Sequence, residues 1–259
     1  MVRVRNAGFL VVALAAAAVS CRTAAPSPVD TGMAACVSPD TVLLAGLNLA
    51  QVRSSPLSHK LPLAAALLDS VPDASALLLA FDGKELLTVA RGSFHAAPAG
   101  WTLIDASLAV SGSDAAVRAA IARHQSGAST SGLMGDAASV AGGNSIWVVG
   151  AGGATLPLTG NAANLNRLLR DSDYAAITVA LGPPIRIEAT VVGRTPEAAR
   201  DAEETLRGVL ALMAMAERRG SDVAVLLQGV DIRRDRRTVH AVVPATADAL
   251  GKLLEQVGR

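Results

Sequence analysis

A strand of alternating apolar and polar residues runs directly into a capped helix at two places in this chain, and this repeated passage constrains the fold more than any other feature. Residues 102–110 alternate in this way and precede Ser113, a good N-cap, and Asp114, which complements a helix N-terminus. Residues 185–191 repeat the alternation and lead to Pro196 at a first helical position. Half-buried strands joined to helices predict an α+β fold with antiparallel sheet.

Two turn signals agree with an antiparallel sheet. The dipeptide Asp82-Gly83 separates two apolar runs, which is typical of a tight β-hairpin. Closer to the C-terminus, a turn at Asp235 predicts a hairpin with a basic tip. The last strand of that hairpin leads into a third predicted helix, over residues 246–257.

These signals fall into two related lobes. We expect residues 40–127 and residues 144–259 each to form an antiparallel sheet with helices packed on one face, in the manner of a ferredoxin-like fold. Residues 128–143, which are rich in glycine, serine and alanine, are interpreted as the linker between the lobes. The matching passages are compatible with duplication of one lobe, although such passages also recur in unrelated proteins.

The first 20 residues have the three-part layout of a bacterial export signal. Arg3 and Arg5 form a basic region, residues 9–19 form an apolar region, and small residues precede Cys21. An apolar helix of that length is only about 16 Å long, whereas the core of a bilayer is roughly 30 Å thick. We therefore expect residues 1–20 to be a signal peptide that is removed.

Residues 18–21, Ala-Val-Ser-Cys, resemble the lipobox of the bacterial lipoprotein class. The resemblance covers residues 1–21 and implies that Cys21 is the site of lipid attachment and the acylated first residue of the mature protein. Two acyl chains already give stable membrane attachment, so a triacylated terminus would be held in the bilayer. In this class an aspartate after the cysteine favours the inner membrane. Because Arg22 stands there, the resemblance implies the periplasmic side of the outer membrane if the source is Gram-negative.

Ordinary secretion is the alternative, because the same small residues also fit the cleavage site of the common signal peptidase. The product would be a soluble secreted or periplasmic protein. Cys21 and Cys36 are the only two cysteines, and they could then close a short disulfide loop. Lipidation would instead leave Cys36 as a lone thiol, so a disulfide at Cys36 would argue against the lipid anchor.

Residues 21–39 have the composition of a tether. They contain three prolines among serine, threonine and alanine, which favours an extended and weakly packed segment. We expect this segment to connect the membrane-bound terminus to the globular part and to hold that part away from the bilayer.

Charge and aromatic content exclude several classes of partner. Removal of the signal peptide takes away Arg3 and Arg5 and leaves 21 basic against 22 acidic residues. Such a balance provides no general attraction for nucleic acid. The chain has only three Phe, two Trp and one Tyr, too few for a stacking surface that binds sugars or single strands.

No sequence motif indicates a cofactor or a metal. Residues 150–153, Gly-Ala-Gly-Gly, resemble half of a dinucleotide fingerprint, but Thr155 replaces the third glycine and Pro157 interrupts the following helix. We therefore interpret the run as a glycine turn and expect no nucleotide. The histidines lack metal-binding spacing and are interpreted as structural or exposed. They are His59, His95, His124 and His240.

The remaining reactive residues also lack the spacing of a catalytic motif. Ser129 lies in a glycine- and serine-rich stretch without the strand, turn and helix that expose a nucleophile. Glu203 and Glu204 are interpreted as the solvated side of a helix. One dense basic patch could meet phosphate groups or an acidic partner, but it could equally keep a hairpin tip soluble. It consists of Arg233, Arg234, Arg236 and Arg237.

Two functional classes follow from these observations. The first is a membrane-anchored, non-catalytic lipoprotein that binds an envelope protein or another envelope component through a sheet face or a cleft. The absence of a local catalytic motif favours this class. The second is an envelope hydrolase whose reactive groups meet only in the folded chain. A cleft that collects a histidine, a carboxylate and a hydroxyl would favour the hydrolase.

Overall fold

In the computed structural model, all strands belong to one antiparallel sheet, and helices pack against it. The structure describes residues 29–55, 68–127, 131–157, 165–216 and 221–246. The strands are β1 (Leu43–Asn48), β2 (Ala74–Phe81), β3 (Leu86–Gly92), β4 (Thr102–Asp105), β5 (Leu108–Ser111), β6 (Ile146–Ala151), β7 (Ser172–Ala180), β8 (Ile185–Gly193), β9 (Asp231–Asp235) and β10 (Thr238–Ala245). The helices are α1 (Thr31–Cys36), α2 (Leu49–Ser54), α3 (Asp114–Ser126), α4 (Leu133–Ala141), α5 (Leu165–Arg170), α6 (Pro196–Ala216) and α7 (Asp222–Gln228). The predicted α+β class is confirmed.

The strand order is β4-β5-β3-β2-β1-β6-β7-β8-β10-β9. The first five strands occupy one half of the sheet and the last five the other, with β1 and β6 paired antiparallel at the centre. The order outward from the centre is the same in both halves. The halves are thus continuous through main-chain hydrogen bonds, and the ferredoxin-like form of two separate lobes is not confirmed.

Helices pack on both faces of the sheet, whereas the sequence analysis expected them on one. The central strands are apolar on both sides, and alternate residues enter different core clusters: Leu78 packs with α1, α3 and α4, and its neighbour Leu77 packs with Leu49 of α2. In the second half, α6 and α7 cover the face that continues from Leu77. None of the described helices is both long enough and apolar enough to cross a membrane.

The predicted turns and caps show which local signals are reliable. The hairpin at Asp82-Gly83 is confirmed, since β2 and β3 pair around it and Gly83 has a φ of +96°. The Oγ of Ser113 accepts a hydrogen bond from the N–H of Ala116 at 3.1 Å, as expected of an N-cap. The Oγ1 of Thr195 caps α6 in the same way.

The single strand predicted over residues 102–110 is wrong, because the segment folds into the hairpin β4–β5. The Asp105 carboxylate accepts hydrogen bonds from the N–H and the hydroxyl of Ser107, which closes a turn between the two strands. These bonds also hold the pKa of Asp105 below its usual value. The alternation of apolar residues runs through this turn without a break, so periodicity alone did not reveal it.

Two segments with weak sequence signals are ordered parts of the core. Residues 29–37 belong to the predicted tether, yet Met33 of α1 is 3% exposed and Cys36 is fully buried. The backbone carbonyl of Cys36 accepts hydrogen bonds from the Arg123 guanidinium of α3. The predicted linker, residues 128–143, includes α4, which places Ala137 against the sheet with no exposure. Small residues allow the close helix-to-sheet contact that the composition did not suggest.

Candidate functional site

The second half of the sheet carries a row of polar side chains near its outer edge. We call this row the polar strip and define it as Arg186, Glu188 and Thr190 of β8, His240 of β10, and Asp231 and Arg233 of β9. Thr190 lies directly opposite His240, and His240 lies opposite Arg233. Because directly paired residues of antiparallel strands point to the same face, all six side chains share one face of the sheet.

His240 lies at the centre of the polar strip. Its Nδ1 is 3.0 Å from a carboxylate oxygen of Glu188 and 3.3 Å from the hydroxyl oxygen of Thr190. The His240 side chain is 42% exposed and that of Glu188 is 26% exposed. A carboxylate at Nδ1 orients the imidazole and favours a proton on Nδ1, so that Nε2 is the ring nitrogen left without a protein partner among the described residues.

A histidine, a carboxylate and a hydroxyl therefore meet here, as the hydrolase class required, but their geometry differs from that of a catalytic triad. In a triad the carboxylate holds one ring nitrogen and the nucleophile bonds to the other. Here Glu188 and Thr190 both contact Nδ1. His240 consequently has no route for taking the Thr190 proton through Nε2, and this arrangement favours binding over nucleophilic catalysis.

The flanking arginines are paired with carboxylates. Arg186 is 3.0 Å from Glu188, and Arg233 is 2.7 Å from Asp231. Both arginines remain solvent-accessible, with side-chain exposures of 58% and 81%. The strip borders an open depression of about 830 Å³. Its charges alternate in sign, so it suits a partner that presents both acceptors and donors.

The basic hairpin tip that the sequence singled out is largely neutralised. Arg234 pairs with Glu203 of α6, and Arg237 pairs with Asp173 of β7. Glu203 also pairs with Arg207, and Arg207 together with Arg234 holds the pKa of Glu203 below its usual range. Arg236 occupies the turn with a φ of +51°. The tip therefore docks onto the fold through its arginines, and Glu203, on the polar side of α6, pairs with two of the nearby arginines.

A second meeting of a histidine and a nucleophile is also unsuited to catalysis. The Cys36 thiol lies 3.9 Å from Nδ1 of His124, and His124 also approaches the carbonyl of Gly32. Burial raises the pKa of the Cys36 thiol to about 11, and nearby Arg123 only partly opposes this. A neutral, buried thiol is a poor nucleophile. This pair therefore ties α1 to the end of α3, in agreement with the structural interpretation of both residues.

The glycine run at residues 150–153 ends strand β6 at Ala151 and forms a turn at Gly152 and Gly153. The N–H groups of Gly152 and Gly153 donate to the carbonyls of Asp173 and Leu169. Gly153 has a φ of +76°, and a side chain at Gly152 would collide with the Ser172 carbonyl. Since these amides are already bonded to the chain, they are not available to a phosphate, unlike those of a dinucleotide-binding loop.

The predicted lipid attachment site, Cys21, lies outside the described residues, as do the signal peptide, Ser129, His59 and the predicted C-terminal helix. Val29, the first described residue, is only 7% exposed and belongs to the core. The sequence led only to the interpretation of His240 as structural or exposed, and it did not indicate its partners. The signal was present, since Arg186, Glu188 and Thr190 form the polar side of the alternation in β8, but their proximity to His240 depends on the pairing of β8 with β10.

No family model and no curated protein matches this chain. Two solved structures are similar to it in fold. One is crystal form III of TP0453, with 10% identity, a TM-score of 0.54 and coverage of 88% of this chain and 98% of that chain. The other is crystal form I of TP0453, with 10% identity, a TM-score of 0.50 and coverage of 87% and 97%. The likeness spans nearly the whole of both chains and shows that the single sheet with its helices is a recurring fold.

Proposed function

We propose that this protein is an exported lipoprotein, anchored to a membrane through an acylated Cys21, which binds another envelope component without catalysing a reaction. The polar strip is the surface proposed for that partner. The observation that carries the binding role is the convergence of Glu188 and Thr190 on Nδ1 of His240, because it orients the ring and leaves Nε2 without a hydroxyl or thiol partner in the described part of the chain.

The anchoring proposal has a geometric consequence. Eight Cα–Cα steps lead from Cys21 to Val29, the first described residue, which is packed in the core. A fully extended chain of that length spans at most about 29 Å. Val29 of a lipidated protein would therefore stay within about one bilayer-core thickness of the membrane surface, roughly 30 Å. The polar strip would then belong to a protein held at the membrane rather than to one that diffuses freely.

The first experiment is an intact-mass measurement on protein purified from bacterial membranes, with and without reduction, beside a Cys21→Ser variant. We expect a species that begins at residue 21 and is heavier by acyl chains, and we expect the variant to lose both the added mass and the membrane fraction. An unmodified soluble chain that gains two mass units on reduction would refute the anchor and support a disulfide between Cys21 and Cys36.

The binding role is tested separately with a photoreactive phenylalanine analogue in place of Val242, which lies on the same face as His240, and in place of exposed Arg118 on α3 as the matched control. We expect a discrete cross-linked partner from position 242 only, and its loss when His240→Gln is added. Equal cross-linking from both positions would refute the strip as the binding surface. Hydrolysis of an envelope substrate that disappears in Thr190→Val would instead support the hydrolase.

A further inference from the structure

A cleft of about 460 Å³ lies beside α1, on the opposite half of the sheet from the polar strip. Its apolar wall is formed by Val29 and Met33, by Leu78 of β2 and by Trp147 of β6. This volume falls within the range of about 300–1,000 Å³ that is typical of small-ligand sites. The proposed binding role of the polar strip makes no use of this cleft.

Trp147 provides a hydrogen-bond donor that the described chain does not use. The residue is 5% exposed, and its ring lies over Gly46, so that an added Cβ at Gly46 would come within 3.0 Å of Nε1. The indole N–H has no hydrogen-bond partner among the described residues. Nε1 itself is not fully buried, because Thr41 Oγ1 is the one fully buried side-chain polar atom that lacks a partner in the described part of the chain. Because Gly46 also lines the cleft, this donor is available to an acceptor that enters it.

The amide side chains at the rim of the cleft add more donors. The oxygen of Asn48 accepts from the N–H of Gln51, and the oxygen of Gln51 accepts from the hydroxyl of Ser145. The NH₂ groups of Asn48 and Gln51 have no partner within the described ranges and are therefore left for a ligand. Asn144 is arranged the other way, because its NH₂ group donates to the carbonyl of Val140 and its oxygen is left as an acceptor.

A cation completes the rim. The Arg91 guanidinium lines the cleft, donates to the hydroxyl of Ser107 at 3.1 Å and lies 3.6 Å from the Asp30 carboxylate. Asp30 also caps α1 by accepting from the N–H of Met33. The separation between Arg91 and Asp30 exceeds ordinary hydrogen-bond distance, so Arg91 retains donors for a second carboxylate.

We infer that this cleft binds the C-terminal residue of a peptide that ends in an apolar side chain. The carboxylate accepts from the indole N–H of Trp147 and from Arg91, and the peptide N–H donates to the oxygen of Asn144. The apolar side chain packs against Val29 and Met33. The free oxygen of Asn144 favours a peptide over a simple carboxylic acid, which has no N–H to donate.

The test uses the full mature chain with Cys21→Ser, labelled with ¹⁵N, and the peptide acetyl-Ala-Ala-Leu. We expect the indole N–H signal of Trp147 to shift downfield and to saturate. The indole signal of Trp101, which packs on the opposite face of the sheet, should not move and serves as the control within the same spectrum. The C-terminal amide of the same peptide should bind at least about tenfold more weakly, as expected for the loss of one charge-assisted bond.

Variants separate recognition from an effect on folding. Arg91→Gln should weaken binding of the acid about tenfold and leave binding of the amide unchanged, whereas Arg118→Gln on the exposed side of α3 should change neither. A Trp101 indole signal at the same position as in the wild-type spectrum verifies that each variant is folded. The same three residues at the C-terminus of a carrier protein form a second arm, in which binding would identify a protein terminus and its loss would identify a free peptide.

Three results would overturn the inference: no shift of Trp147, equal shifts of Trp101 and Trp147, or equal affinity for the acid and the amide. Hexanoate binding as tightly as acetyl-Ala-Ala-Leu would also overturn it, because the peptide N–H would then have no role. None of these results depends on whether Cys21 is acylated, since the variant used lacks that cysteine.

Discussion

Gly46 is the position where a single methyl group should disturb the centre of the sheet most. It lies in β1 directly opposite Trp147 of β6, and a Cβ built on it would lie under 3.0 Å from three atoms of the indole ring. Carbon atoms in contact normally lie about 3.5–4.0 Å apart. The substitution Gly46→Ala therefore requires the Trp147 ring to retreat by roughly 1 Å or more from a site where it is 5% exposed.

The expected cost follows from two opposing effects. Overpacking of a dense core costs about 1–3 kcal/mol, and replacing a strand glycine by alanine recovers about 0.5–1 kcal/mol of conformational entropy. We therefore expect Gly46→Ala to lower the free energy of unfolding by about 1–2 kcal/mol. In a Trp147→Leu background the colliding ring atoms are absent, so that Gly46→Ala should be neutral or slightly stabilising there.

The measurement is urea unfolding of the four proteins of this double-mutant cycle, all with Cys21→Ser, followed by circular dichroism. We expect a coupling free energy of at least about 1 kcal/mol between the two substitutions. Gly132→Ala is the matched control, because open space surrounds that glycine and its φ is not positive. Equal losses from Gly46→Ala in both backgrounds would refute the steric argument, since the loss could not then come from the indole ring.

Three further predictions concern single side chains. Because burial raises the pKa of Cys36 to about 11, its neutral thiol contributes stability that is lost as the pH rises from 9.0 through about 11. The free energy of unfolding should therefore fall less steeply with rising pH in Cys36→Ala than in the wild type. An unchanged pH profile in the variant would contradict the burial argument. The Glu85 N–H holds the pKa of Asp82 below its usual value. The Asp82 carboxylate therefore stabilises the hairpin at any pH above its usual pKa, and this stabilisation is lost as the pH falls from the usual pKa through the lowered pKa of the folded state. Acid unfolding of Asp82→Asn should show a smaller pH dependence than that of the wild type. Ser113→Ala should cost about 1 kcal/mol in urea unfolding through loss of the α3 N-cap, whereas replacement of the exposed Ser139 of α4 by alanine should cost less.

The parts of the fold that the sequence predicted are those governed by local chemistry. The turn at Gly83 and the caps at Ser113 and Thr195 depend on residues within four positions of one another, and each is confirmed. The hairpin β4–β5 was missed because Asp105 supplies its turn with side-chain bonds and leaves the alternation intact. The helix α1 was missed because its stability comes from contacts with α3, which lies some 80 residues away in sequence.

The candidate site was predictable only in part, for a similar reason. His240 was recognised as an outward-facing strand residue, but nothing in its neighbourhood in the sequence identifies Glu188 and Thr190 as its partners. Their contact depends on the register of β8 and β10, which is set by the connection through α6 and α7. A one-residue shift of that register would turn the strip to the other face, so the site is a property of the sheet rather than of a motif.

A comparison of the two halves of the sheet shows which element supports the polar strip. Helix α2, which follows β1, and helix α5, which follows β6, pack on the same face of the sheet. That face is also covered by residues 93–101, which connect β3 to β4, and by α6, which lies in the connection from β8 to β9. This correspondence is compatible with duplication of one half. Among the described residues of the first half, no helix is as long as α6. Glu203 and Arg207 of α6 hold β9 through Arg234 and the carbonyl of Ile232. By fixing β9 in this way, α6 places Arg233 and Asp231 beside His240. The polar strip therefore depends on α6.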